Sequence, residues 1–212
     1  MSINLSRYAP KVTLDSVAAN DEVERPVRFY GMGMAGIAAN DDMVSVYASD
    51  RPEAHIREAR DIRNYVEQLL SSAEGRQIQG YLRSKSGTMA EIVGYYAGDF
   101  EQEGIVAAVA HDGKKGNFFV NTKGGRNLED RAWDLAQRYQ TGSDNATLYA
   151  VIHEVSHLAG YDEEQIEPVV AEVAEHMMNQ YEPGSPEFEK YAAVKSIAEQ
   201  RQMEKEGYRE AA

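Results

Sequence analysis

Residues 145–159, NATLYAVIHEVSHLA, constrain the fold of this chain more than any other stretch. They read as one helix of about four turns. Placed at 100° steps, Leu148, Val151, Ile152, Val155, Leu158 and Ala159 cover one broad side, which demands a core to pack against. His153 and His157 fall on the other side, with Ala146, Tyr149 and Ala150. A fully exposed helix face more usually carries Lys, Glu or Arg than two alanines and a tyrosine. The histidines therefore occupy a second face with room beside it. Thr141-Gly-Ser-Asp-Asn145 breaks the chain ahead of this helix and offers Ser143 or Asp144 as its N-cap. Gly160 is the expected stop.

The segment HEVSH, His153 to His157, fits H-E-x-x-H. Residues four apart on a helix share a face, so both imidazoles can reach one Zn²⁺ while Glu154 polarises a metal-bound water. The plain alternative is two surface histidines beside a glutamate. A catalytic zinc site normally has three protein ligands, and Asp162, Glu163, Glu167 and Glu172 compete for the third position. Pro168 suits the start of a second helix, to about Tyr181, with Val169, Val170, Val173 and Met177 as its core stripe. If that helix returns antiparallel to the first, a ligand belongs one to two turns past its start, which selects Glu172. His176 follows one turn later on the same side, as a substrate contact or a support for a ligand. Glu175 points further outward.

The rest of the chain reads as mixed structure. Residues 1–50 form an N-terminal extension with short strand-like runs at Pro26–Tyr30 and Met43–Tyr47. Between them GMGMAG, Gly31 to Gly36, is a formal G-x-G-x-x-G with Asp50 downstream. A dinucleotide-binding turn needs a crossover of at least ~10–12 residues, and only Ile37 to Asp42 is present, so a flexible glycine turn is the better reading. Pro52–Ala73 is a helix with Ile56, Ala59, Ile62, Val66, Leu69 and Ala73 in step, and His55 lies on its surface. Gln77–Arg83 and Glu91–Ala97 fit either strands or short helices. Gly104–Ala110 and Asn117–Thr122 form a hairpin across HDGKKG, with His111 a solvated turn residue. Lys123-Gly-Gly-Arg126 lacks the eight-residue Walker spacing and is a loop. Asn127–Tyr139 is a helix whose Trp133 should sit in the core. After the break at Glu182–Pro186, Glu187–Tyr208 is a charged helix with a thin stripe of Phe188, Tyr191, Val194, Ile197 and Met203, solvated by default. The expected fold is α+β, a small mixed or antiparallel sheet packed against the helix pair that carries the motif. The division is an extension over 1–50, a catalytic domain over 51–182 and a charged helix over 183–212.

Composition narrows the function. The net charge of −13 and pI near 4.8 provide no basic field to neutralise phosphates, so nucleic acid is not an expected partner. There is no cysteine, hence no disulfide and no thiolate ligand. The first residues lack an apolar secretory core, and no run approaches ~18 apolar residues. A cytoplasmic protein with no membrane contact is expected, and nothing in the sequence signals an oligomeric state.

With HEVSH, the Gly160 stop and Glu172 in PVVAEVAEHMM, residues 104–181 resemble the zincin metallopeptidases, most closely a minimal gluzincin. That resemblance implies zinc held by His153, His157 and Glu172, with Glu154 as general base. It also implies a peptide or protein substrate lying along an edge strand, for which Asn117–Thr122 is the candidate. Tyr149, Tyr181 and His176 are candidates for stabilising the oxyanion or supporting a ligand, and no other cofactor is implied. The gluzincin acid four residues past the third ligand is replaced by His176. HEVSHLAGYDE also matches the metzincin spacing, which makes Glu163 the alternative third ligand, and Asp162 is reminiscent of the aspartate-ligand zincins. Two rivals stand beside this reading: a non-catalytic binding or structural protein with a degenerate zincin fold, and a latent protease masked by a terminal segment.

Overall fold

The computed structural model describes residues 34–35, 44–47, 52–98 and 105–210. The Pro26–Tyr30 run, the glycines of the Gly31–Gly36 turn and Asp50 lie outside the described residues. The chain is a mixed α+β structure. In order come β1 (Met34–Ala35), β2 (Val44–Tyr47), α1 (Pro52–Ser71), α2 (Ala73–Ser86), β3 (Glu91–Gly98), β4 (Ala107–His111), β5 (Lys115–Asn121), α3 (Leu128–Arg138), α4 (Ser143–Leu158), α5 (Ile166–Met178) and α6 (Pro186–Glu210).

The strand order is β1-β2-β3-β5-β4. β2, β3 and β5 run parallel, while β1 and β4 are antiparallel to their neighbours, so the sheet is mixed. Glu91–Ala97, which periodicity left open, becomes a strand because it pairs on both sides and alternates its aromatics. Tyr95 meets Phe118 on the core face, and Tyr96 stacks on Phe119 on the other. Gln77–Arg83 is part of α2. The β4–β5 hairpin closes on Asp112, whose carboxylate accepts from the backbone of Lys114 and Lys115 at 2.9 and 2.8 Å, with Gly113 at φ +87°. β5 lies between β3 and β4, so Asn117–Thr122 is not an edge strand; β4 is the edge on that side and β1 the edge on the other.

α1 and α2 are joined at Ser72, an extended N-cap whose hydroxyl accepts from the Gly75 N–H at 2.9 Å. The two helices close on each other so tightly here that a Cβ on Gly75 would stand 2.0 Å from the Leu69 carbonyl oxygen. That neighbour is backbone and cannot swing away. Gly75→Ala is expected to cost about 3 kcal/mol, read as a lower midpoint in urea unfolding; a wild-type midpoint would contradict this close approach.

One apolar cluster unites the inward residues of the sheet with α1, α2, α3, α4, α5 and α6. α4 runs through its middle, packed by α3, α5, α6 and the edge strand β4. Every residue from Ala146 to Leu158 is buried, so the histidine face is covered as fully as the apolar one. Three expectations change. The N-cap of α4 is Gly142, with no side-chain bond, and Ser143 is already helical; its carbonyl accepts from the Thr147 hydroxyl at 2.9 Å. Trp133 is 55% exposed, because it sits about 100° round α3 from Ala132 in the buried stripe. α6 is not a solvated helix. Tyr191, Val194, Ile197 and Ala198 are buried in the common core, while Met203 faces out. Among the described residues no helix is long and apolar enough to cross a membrane.

Candidate metal centre

The end of α4 sets the site. Gly160, at φ +91°, donates to the His157 carbonyl at 2.8 Å, and Tyr161 N–H reaches back to Ser156 O at 3.4 Å. This is a Schellman turn, and the left-handed conformation it requires is what glycine supplies. The turn sends the chain back past its own last helical turn. There the Tyr161 carbonyl lies 2.8 Å from Nδ1 of His157. Asp162 then accepts from the N–H groups of Glu164 and Gln165, both at 3.0 Å, and this tight turn presents the Glu163 side chain inward. Asp162 itself shapes the loop.

His153, His157 and Glu163 offer donor atoms that all lie within 4.8 Å of one another. Glu163 Oε1 is 3.2 Å from His157 Nε2 and 3.8 Å from His153 Nε2. Ligands of a tetrahedral ion with bonds of ~2.0–2.1 Å stand about 3.4 Å apart, so the spacing suits a zinc-sized ion. The other ring nitrogens are already committed. His157 Nδ1 donates to the Tyr161 carbonyl, which leaves Nε2 as the lone-pair nitrogen of the neutral ring. The Tyr149 hydroxyl donates to Glu167 Oε2 at 2.6 Å and so accepts from His153 Nδ1 at 3.2 Å, leaving His153 with the same tautomer. Both Nε2 lone pairs thus face one carboxylate oxygen. Despite the 3.2 Å approach, the pair lacks hydrogen-bond geometry, and buried Nε2 of His157 has no hydrogen-bond partner. Lone pairs so juxtaposed call for a proton or a cation between them. Imidazole ligands held from behind through their other nitrogen are the usual arrangement around a metal.

The groups behind the triad are buried and charged. Glu167, fully buried in the first turn of α5, accepts from Arg201 Nε at 2.8 Å through the oxygen that Tyr149 does not use. Lys205 Nζ lies 3.2 Å from Glu163 Oε2, 3.0 Å from the Glu163 carbonyl and 3.4 Å from Glu167 Oε1. Burial opposes ionisation of Glu163, but its contacts with His153 and His157 outweigh that and hold its carboxyl well below the usual range. Burial likewise opposes ionisation of Glu167, while His153 in its protonated form, the Arg201 charge and the Arg201 and Tyr149 hydrogen bonds bring it below the ordinary value. Burial disfavours the charged form of His157 too, yet Glu163 and Glu154 raise its pKa.

Glu154 adjoins the triad and is 7% exposed. Burial raises its pKa, and Glu163 adds to this against the opposing pull of His153 and His157. A carboxylate tuned upward in this way is suited to take and return a proton. Glu154, Glu163 and Glu167 stand against Arg201 and Lys205, three carboxylates against two cations. With Glu154 ionised the surplus is one negative charge, which a bound divalent cation would more than offset.

The structure brings Glu163, not Glu172, to the histidines. Glu172 is exposed on α5 and meets the Tyr81 hydroxyl at 3.2 Å and Lys85 at 3.5 Å. His176 stacks on Tyr81 with ring centroids 4.5 Å apart. Tyr181 donates to Glu74 at 3.0 Å and stacks on Tyr191. Neither belongs to the triad's surroundings, and Tyr149 stands behind His153 as its support. His111 ends the edge strand with Nδ1 accepting from Gly113 N–H at 3.2 Å. Sequence reasoning missed Arg201 and Lys205, and it weighed Glu167 only as one of four candidate ligands, not as the support behind His153. A signal was present: Glu167 precedes Val170, Val173 and Met177 at helical steps, and Arg201 and Lys205 continue the line Tyr191, Val194, Ala198. Charges in register with a buried stripe mark a buried polar network. Comparison of the chain with protein-family models, curated proteins and solved structures finds no match.

Proposed function

We propose that the protein is a zinc-dependent peptidase whose metal is held by His153, His157 and Glu163. The observation that carries this reading is the convergence of two Nε2 lone pairs and one carboxylate oxygen, with each Nδ1 already engaged and Glu154 buried alongside. Zn²⁺ bound there would lower the pKa of a water and polarise a carbonyl. Glu154 takes the water's proton and returns it to the leaving amine, a role its raised pKa favours. Tyr149 and Glu167 hold His153 in the tautomer that offers Nε2, and the Tyr161 carbonyl does the same for His157. The edge strand β4, packed against α4, offers its outer backbone to an extended peptide, which would bind as a further strand. With Glu163 as ligand, H-E-x-x-H-x-x-G-x-x-E follows the metzincin-type spacing, with glutamate where that family usually has histidine.

The reading is tested by metal analysis of the full chain purified without chelator, followed by cleavage assays on casein and a peptide library. One equivalent of zinc, lost in His153→Ala, with peptide hydrolysis abolished by chelation, is the expected result. Zinc without hydrolysis would move the protein to the non-catalytic class, and no bound divalent ion would end the metal reading.

A further inference from the structure

We infer that the C-terminal helix α6 is a working part of the metal centre, with Lys205 and Arg201 as positioning residues that aim two of its ligands. The inference rests on the metal reading above and concerns how the site is held.

Glu163 stands on the short turn between α4 and α5, outside any regular element. A carboxylate on such a turn has two oxygens free to exchange and a backbone free to drift. Lys205 removes both freedoms. Its Nζ takes Oε2 at 3.2 Å and the carbonyl of the same residue at 3.0 Å, which leaves Oε1 as the oxygen facing the imidazoles. The second ligand is reached by a longer route. Arg201 Nε binds Glu167 Oε1, Glu167 Oε2 receives the Tyr149 hydroxyl, and that hydroxyl receives Nδ1 of His153. The Arg201 guanidinium also lies 5.7 Å from the centre of the Tyr149 ring. Lys205 closes the two routes into one frame through its 3.4 Å approach to Glu167. One turn of α6 therefore controls a ligand on the turn and a ligand on α4, and loading the metal and seating the end of α6 become one coupled event.

Charge alone argues for the opposite outcome, which makes the inference testable by sign. Lys205 is a cation beside a cation site. If it acts only through its field, removing it tightens zinc binding; if it positions Glu163, removing it weakens binding. The measurement is zinc affinity of the full chain by competition with a chromophoric chelator, with hydrogen exchange of residues 199–207 read with and without zinc. Lys205→Met is expected to weaken binding about 10–100-fold, the range for partners behind metal ligands. Lys205→Arg should restore most of it. Lys195→Met, on the same helix as Lys205, removes a surface pair with Glu175 of α5 and should leave it unchanged. Zinc should slow exchange over 199–207 in the unaltered chain and fail to do so in Lys205→Met. Wild-type or tighter zinc binding by a folded Lys205→Met overturns the inference and leaves the metal reading standing. Absence of zinc binding by the unaltered chain overturns the metal reading, and this inference with it.

Discussion

Glu154→Gln is expected to reduce peptide cleavage by about 10²–10⁴-fold, the contribution of a positioned general base, while zinc content stays at the wild-type level. The glutamine is isosteric and fills the same buried space beside His153 and His157. It differs in one respect, having no carboxylate to take a proton. The triad proposed to hold the metal and the groups behind it are untouched, because Glu154 lies outside that set of donor atoms. The two readouts separate the roles. Loss of zinc together with activity would make Glu154 a structural support, and retained activity would remove it from the chemistry.

The second large effect distinguishes Glu163 from Glu172. Glu163→Gln should weaken zinc binding by more than about 100-fold, beyond the range for partners behind the ligands. The amide keeps the shape but withdraws the charge that faces both imidazoles, and it leaves Lys205 without its carboxylate at 3.2 Å. Glu172→Gln should leave zinc affinity unchanged. Its carboxylate meets an exposed lysine and a half-buried tyrosine on α2, and exposed ion pairs contribute about 0–1 kcal/mol. Equal zinc affinity in Glu163→Gln and the unaltered chain would dismiss the triad. A large loss in Glu172→Gln would restore the gluzincin-type ligand set.

The location of α6 bears on how a masking role for that helix can be tested. A terminal helix that merely masked a cleft could be removed without harm to the fold. Here Tyr191, Val194, Ile197 and Ala198 belong to the common core, and Lys190 binds both oxygens of Glu74 on α2 at 2.9 and 2.7 Å. Cutting at residue 187 would open the core, so truncation reports on folding before it reports on masking.

Local geometry made much of the helical content legible. Steps of three and four apolar residues marked α1, α3, α4 and α5 to within a few residues, and the turn residues of HDGKKG marked the β4–β5 hairpin. Strand order was not legible, because hydrogen-bond partners lie far apart in sequence. A hairpin of two strands does not say which of them has a second neighbour, and β3 inserts beside β5, leaving β4 at the edge. Trp133 shows the same limit on one helix, since size suggested burial but the rotation of α3 placed it outside.

The sequence by itself determined that His153, Glu154 and His157 share one end of one helix, because 3.6 residues per turn places i and i+4 together wherever the helix lies. It also determined the stop at Gly160, because the left-handed turn there suits glycine. Only the tertiary structure decided the third donor. Val170, Val173, Ala174 and Met177 turn α5 inward, which carries Glu172 out towards α2 and Glu167 in behind His153. The turn after Gly160 then swings Glu163 onto the two imidazoles, and Lys205, more than forty residues on, holds it there. That lysine acts across space rather than along the chain, so no spacing within the motif encodes it.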